Sequence, residues 1–537
     1  MVRRAFLLFA VLAPLTILLL NQIFWDKSWL LFIPVGPIIL LGLWDITQRR
    51  SSLRRIYPVI AHGRYLFESI RPEIQQYFVE NNIDGRPFNR EQRSLVYQRA
   101  KNVTDTLPFG TQRDVDRAGY EWIPHSIAAI TPAEEEERVR FGGEHCDQPY
   151  FASHLNISAM SFGSLSTHAV MALNRGAKAA GCWHNTGEGG ISPYHLQGGD
   201  LVWQLGTGYF GARAADGGFD VERYRTNAQR PEVKMIELKL SQGAKPGHGG
   251  ILPAAKVTPE IAEIRGVPLG KDVLSPPYHK AFDSPRGLID FCATLRRESG
   301  GKPVGFKLCI GRREEFLAIC KAMLEADELP DFITVDGAEG GTGAAPLELS
   351  NRAGVPLREG LSFVDNALRG VGLRDKIRVV AAGKIITGFD LFRTRALGAD
   401  VVNSARGMMM ALGCIQAVRC NTNHCPVGIA TQDPARVQGL DVDDKTLRVQ
   451  RFHHNTIHAF LELLAACGLQ SPREIEPEHV HHRVEEDEVA HLGQLYPRLD
   501  DGLLVRDPEA APAEWQAWWQ AASPDSFKPQ AVPLAGV

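Results

Sequence analysis

Phe332-Ile-Thr-Val-Asp-Gly-Ala-Glu-Gly-Gly-Thr-Gly343 decides the architecture. Its first four residues are apolar or β-branched, as in a short buried strand, and the run breaks at once into an acidic, glycine-rich turn. The pattern recurs downstream, where Arg378 to Ala381 leads into Ala382-Gly-Lys-Ile-Ile-Thr-Gly388 and Asp400 to Asn403 leads into Ser404-Ala-Arg-Gly407. Upstream, Leu155 to Ala159, Val233 to Leu240 and Val304 to Leu308 are similar runs separated by helical stretches, and nearly all stop on Gly, Ser, Lys or Asp. Alternating strands and helices imply a parallel sheet. From Leu155 to Leu412 the chain runs 258 residues, close to the ~250 of a barrel whose strand ends converge on one mouth. A doubly wound sheet would alternate likewise, but no G-x-G-x-x-G follows the first strand. The expected fold is therefore α/β, a (β/α)8 TIM barrel.

At 537 residues the chain exceeds one ordinary domain. Residues 1–50 read as a transmembrane helical hairpin: Ala5 to Phe24 and Trp29 to Trp44 are apolar runs parted only by a few residues around Asp26 and Lys27, and no small-residue cleavage site is evident. Arg3 and Arg4 precede the first run, and Arg49, Arg50, Arg54 and Arg55 follow the second. Both flanks then lie on the cytoplasmic side of an inner membrane, and so does the catalytic part. A single span followed by an interfacial helix broken at Pro34 and Pro37 is the alternative. Residues 51–150 form a polar connecting or cap segment with a helix expected near Arg71 to Glu80, residues 151–470 the barrel, and residues 471–537 a tail without evident chemistry. The 59 basic and 62 acidic residues nearly balance, which disfavours nucleic acid as a partner.

The late turns supply backbone amides and helix N-termini suited to a phosphate. Gly341, Gly343, Gly383, Lys384, Ala405 and Arg406 are the candidate contacts, against the simpler reading that these are tight turns and nothing more. Ser158-Ala-Met-Ser-Phe-Gly163 and Asn185-Thr-Gly-Glu-Gly-Gly190 follow the first two strands. Their small residues would let a flat aromatic ring lie against backbone, with Ala159, Met160, Ser161 and Asn185 at its edge. Lys307, ending an apolar strand, is the cation best placed beside such a ring. A positive charge there stabilises an anionic reduced flavin, although a salt-bridged barrel lysine is the plainer reading.

Nine cysteines are too few for a disulfide scaffold in a chain this long. Cys414, Cys420 and Cys425 have five and four residues between them and show no C-x2-C pair, so a zinc ribbon is disfavoured. Three thiolates with no fourth nearby suit a three-iron cluster, with unliganded structural thiols as the alternative.

Together with Ser241-Gln-Gly-Ala-Lys-Pro-Gly247 and Pro426-Val-Gly428, these motifs closely resemble the FMN-binding synthase domain of glutamate synthase over roughly residues 110–470. The whole-chain pattern resembles its shorter, membrane-anchored relatives. The resemblance implies FMN, and a [3Fe-4S] cluster on Cys414, Cys420 and Cys425. It also implies reduction of 2-iminoglutarate, formed from 2-oxoglutarate and ammonia, with electrons from ferredoxin or a separate reductase. It makes Glu188, Lys245 and Lys307 the catalytic candidates, the first two handling protons or substrate carboxylates.

Three departures qualify it. The chain begins Met1-Val2 and enters an apolar helix, so no N-terminal cysteine nucleophile of a glutaminase domain is expected. The family's long C-terminal β-helical domain is not expected in the short stretch after the barrel. On the substrate side, His248 replaces the usual Glu, Leu-Cys-Ile-Gly-Arg-Arg follows Lys307 in place of the usual glycine-rich stretch, and Asp336-Gly-Ala-Glu339 lacks the common His. Two alternatives therefore stand: an FMN oxidoreductase acting on another amino or oxo acid, and a membrane-bound electron-transfer module.

Overall fold

Two apolar helices open the chain, α1 (Val2–Ile23) and α2 (Phe32–Thr47). They are apolar on all sides and mostly exposed, the pattern of helices that do not bury themselves in a protein core. Pro34 and Pro37 do not break α2: both fall in its first two turns, and Pro34 lies where a missing N–H costs least. Ser28, in the connection, is buried and donates to the Ile17 carbonyl at 3.0 Å. Helix α3 (Ile60–Ile74) is continued by a wider turn over Gln75–Val79. It therefore begins well before the Arg71 to Glu80 stretch expected from sequence, because its first turn holds His62, Gly63 and Arg64 and carries little apolar signal. The computed structural model describes residues 2–103 and 106–530, which fall into two units, Met1–Glu91 and Gln92–Val537.

The second unit is built on eight parallel strands, β1 (Leu155–Ile157), β2 (His184–Asn185), β3 (Leu201–Leu205), β4 (Val233–Lys239), β5 (Val304–Leu308), β6 (Phe332–Asp336), β7 (Arg378–Ala382) and β8 (Val401–Ser404). Each pairs with the next, and β8 returns to β1 through Val402 opposite Leu155, so the sheet closes as a (β/α)8 barrel. The strands are buried on both faces and accordingly read as continuous apolar runs. Helix α4 (Thr167–Ala180) is capped by Ser166, whose hydroxyl accepts from the Ala169 amide, and ends at Gly181 in the left-handed conformation. The outer layer continues with α5 (Pro285–Glu298), α6 (Leu357–Gly370), α7 (Gly388–Ala396), α8 (Arg406–Ala411) and the long α9 (Val442–Ala466). Helix α9 lies so close to α4 that a Cβ on Gly176 would stand 2.5 Å from Val449.

The N-terminal ends of the strands are sealed by a two-stranded hairpin, Val139–Phe141 with Tyr150–Ala152. Phe141 meets Trp183 and Phe332 edge-on at 5.5 and 5.6 Å, in a cluster with Val202, Met235, Val380 and Val401. At the same end Arg374 bridges Asp365 at 2.6 Å and Asp400 at 3.0 Å, and Arg296 holds Asp331 at 2.8 Å. With its bottom closed by aromatic packing and ion pairs, the barrel presents its opposite rim for chemistry.

Candidate active site

Barrel geometry carries the residues that end each strand to one rim. Lys239 ends β4, and its ammonium reaches the Glu188 carboxylate at 2.9 Å and Gln242 Oε1 at 2.6 Å. Glu188 comes from the loop after β2. That loop can pack closely because Gly206 and Gly250, which face the carboxylate, have no Cβ to collide with it. Lys245, from the loop after β4, is buried and donates to the Ala344 carbonyl at 2.9 Å. Arg265, at the end of a short helix in the same excursion, donates to the Phe162 carbonyl at 2.9 Å and lies over the Phe210 ring at 5.2 Å.

Burial and charge oppose each other here. Burial raises the Glu188 carboxyl, but Lys239, with Lys245 and Arg265 behind it, holds it below its ordinary value. Burial and the nearby Lys239 charge pull the Lys245 ammonium down to about 8, and burial takes Arg265 down to about 10. Three buried or nearly buried cations thus surround one carboxylate. Uncompensated charge away from water is costly, and an anionic ligand would relieve it.

Lys307, from β5, pairs with Asp336 at the end of β6 at 3.2 Å. Burial opposes its charge, but Asp336 and Glu237 outweigh that and raise the ammonium above the usual lysine value. Glu237 sits inside the barrel and accepts from Asn185 at 2.8 Å, Gln204 at 2.5 Å and Thr334 at 2.7 Å. Asn185 is thereby fixed toward the barrel interior, with its carbonyl oxygen accepting from the Gly187 amide at 3.0 Å. Ala159, Met160 and Ser161 follow β1. Gly187 crosses against them at φ 63°, where a Cβ would come within 2.7 Å of the Ser161 amide nitrogen. Only glycine lets these two loops approach so closely.

On the far side of the rim the glycine-rich turns after β6, β7 and β8 meet. Arg406 Nη2 donates to the Glu339 carbonyl at 2.6 Å, and a Cβ on Gly341 would press on its guanidinium at 2.7 Å. Ser404 donates to the Ile385 carbonyl at 2.7 Å. Gly383 has φ 158° and Lys384 φ 51°, a left-handed turn uncommon for a lysine, just before α7, whose N-terminus is closed by a Thr387 and Asp390 capping box. Gly343 lies in the same turn as Gly341. A cradle of this form fits a phosphate group, and the bare backbone around Met160 and Gly187 fits a flat ring.

Cys414, Cys420 and Cys425 share the loop after α8, where Gln416, Val418 and Asn423 all have positive φ. Such strain is stored where a loop must present particular groups. The three thiols are electrostatic neighbours: burial pushes Cys414 up to about 11, and Cys420 and Cys425 add to the rise. Among the described residues no group of three or more His, Cys, Asp or Glu is close enough to hold a single metal ion. Three cysteines in one loop are the kind of donor set that would suit an iron-sulfur cluster. Lys256 lies beside the loop, donating to the Ser164 carbonyl at 2.9 Å, and Cys420 and Cys425 partly offset the burial that lowers its ammonium to about 8.

Sequence reasoning did not single out Lys239, Arg265, Glu237 or Asp336 as charged partners, nor Lys256. Lys239 carried a signal, since it closes a strand run. Arg265 carried none, being placed by an excursion whose path no local pattern fixes.

The conserved region of glutamate synthase matches residues 122–470 of the chain. The Glutamate synthase large subunit-like protein YerD of Bacillus subtilis is 38% identical over 507 residues, covering 86% of this chain and 95% of that one. An archaeal glutamate synthase [NADPH] of Methanocaldococcus jannaschii is 36% identical over 60% of each chain. The Glutamate synthase [NADPH] large chain of Bacillus subtilis is 34% identical over 51% of this chain, which spans only 18% of its length. These matches mark the chain as an oxidoreductase. The chain belongs to the glutamate synthase family.

Proposed function

We propose that the second unit is an FMN- and iron-sulfur-dependent oxidoreductase that reduces 2-iminoglutarate, formed from 2-oxoglutarate and ammonia, to glutamate. The observation that carries this reading is the excess of cations, Lys239, Lys245 and Arg265, around Glu188 at the rim, which suits a dicarboxylate. FMN, when bound, supplies hydride to a substrate carbon. The protein's own part is to bind and orient. The turns holding Gly341, Gly343, Gly383, Lys384, Ala405 and Arg406 would take the phosphate, Ala159, Met160 and Ser161 would back the ring, and Lys307 would set its electrostatics. Glu188, kept ionised by Lys239, stabilises cationic or protonated nitrogen at the substrate, and Lys245, poised near neutrality, is the group able to exchange a proton there.

Cys414, Cys420 and Cys425 would hold a [3Fe-4S] cluster that passes single electrons from ferredoxin or a separate reductase. Helices α1 and α2 would anchor the chain in a membrane with the barrel on its cytoplasmic side, a reading supported by their length and apolar surfaces. A second reading, an FMN enzyme acting on another amino or oxo acid, is favoured by His248, which stands where the family usually has an acid.

The test is an anaerobic visible spectrum with iron and released flavin measured on one sample, followed by reoxidation of the reduced protein with 2-oxoglutarate and ammonium. Reoxidation requiring both substrates supports the first reading. A reduced flavin left untouched by both ends it. In the Cys420→Ser variant, iron should fall to background while flavin stays bound. Retention of iron there would remove the three cysteines as ligands.

A further inference from the structure

From Ile60 to Val79, α3 and its continuing turn set Ile60, Phe67, Ile70, Ile74 and Phe78 at three-, four- and seven-residue spacings, which place them along one side of a helix. That side is bare: Ile60 and Phe67 are each 67% exposed, and Phe78 is 85% exposed. By the same helical period Arg64 and Arg71 edge the stripe, and Glu68 and Ser69 fall away from it. Residues 48 to 79 contain six arginines against two glutamates. The start of α3 is also fixed in place. Asp45, fully buried near the end of α2, accepts from the Val59 amide at 2.9 Å and meets His62 Nε2 at 2.9 and 3.0 Å. Val59 turns the corner at φ 66°, a strained conformation for a β-branched residue.

We propose that α3 lies flat in the surface of an anionic bilayer, with its Phe67 to Phe78 stripe among the acyl chains and its arginines among the headgroup phosphates. The inference rests on α1 and α2 being membrane spans, as proposed above. Two observations select lipid over a protein groove as the occupant. Asp45, near the end of the second apolar run, holds the start of the helix beside that end, where headgroups would stand, and the cations bordering its stripe match an anionic leaflet.

The test places the full chain in nanodiscs containing a photoactivatable phosphatidylglycerol, or a photoactivatable phosphatidylcholine at the same content, and maps lipid adducts by peptide mass spectrometry. Adducts should appear on α1, α2 and the Phe67 to Phe78 stripe. Those on α3 should be about fivefold more abundant with the anionic probe, roughly the contribution of one arginine at such a surface. The Phe67→Ser/Phe78→Ser double variant should lose the α3 adducts, keep those on α1, and retain its flavin. Adducts on α1 and α2 with none on α3 overturn the surface helix and leave the anchor standing. Adducts on none of the three overturn the anchor with it, and equal α3 labelling by both probes overturns the anionic preference.

Discussion

The two ends of the barrel hold buried charge in opposite ways. At the bottom, Arg374 sits between Asp365 and Asp400, and Arg296 is matched by Asp331 and Glu328 at 2.8 Å each. Arg369 and Arg395 also contact Asp365 and Asp400, so each arginine there touches a carboxylate inside the protein. At the rim, Lys239, Lys245 and Arg265 share Glu188, and the count is left open. Cations in direct contact with carboxylates hold a barrel together, whereas cations that donate to backbone carbonyls leave room for an anion that arrives from outside.

The largest effect expected from that contrast is at the bottom. Arg374→Met removes the bridge between Asp365 and Asp400, leaving them to Arg369 and Arg395, strips the Ile377 and Gly398 carbonyls of their donor, and should destabilise the protein by about 3–5 kcal/mol. Denaturant unfolding measures it, with flavin content unchanged in whatever fraction remains folded. Lys239→Met at the rim should do the reverse. Removing the cation that orders Glu188 should cut kcat/KM by about 10²–10³, or about 3–4 kcal/mol of transition-state stabilisation, while the unfolding midpoint barely moves. If both substitutions chiefly lower stability, the rim is another structural cluster.

A smaller effect follows from Lys245. Its ammonium is held down to about 8, so it is charged below that pH and neutral above it. Binding of an anionic substrate should therefore weaken as pH rises through 8, with KM increasing by about tenfold for the loss of one charge-assisted hydrogen bond. Lys245→Arg keeps its charge across that range and should flatten the profile. A KM that falls as pH rises would remove Lys245 from the binding site.

Much of this was legible in sequence, and unevenly. Strands β6 to β8 announced themselves because each is four or five mostly buried residues running into a glycine-bearing turn. Strand β2 is two residues long, His184–Asn185, too short for any periodicity, and was placed only through the loop that follows it. The glycine-rich turns could be read because glycine leaves a mark wherever backbone must come close. The charged rim could be read only in part. Glu188, Lys245 and Lys307 lie in or beside such motifs, but their partners arrive from the neighbouring strand, as Lys239 does, or from an excursion, as Arg265 does. Partnership is a property of closure, which no local window contains.

The pairing of Val402 with Leu155 has a kinetic side. The seam of the barrel joins its first strand to its last, so during synthesis β1 waits with an open edge until β8 has left the ribosome. Closing so distant a contact is slow, and an unpaired edge invites association with other chains. A nascent chain halted before Ser404 should bind chaperones and aggregate, and one extended through α9 should not. The ring that makes the mouth rigid in the finished protein is, while it is being made, the stage at which the chain is most exposed to misassembly.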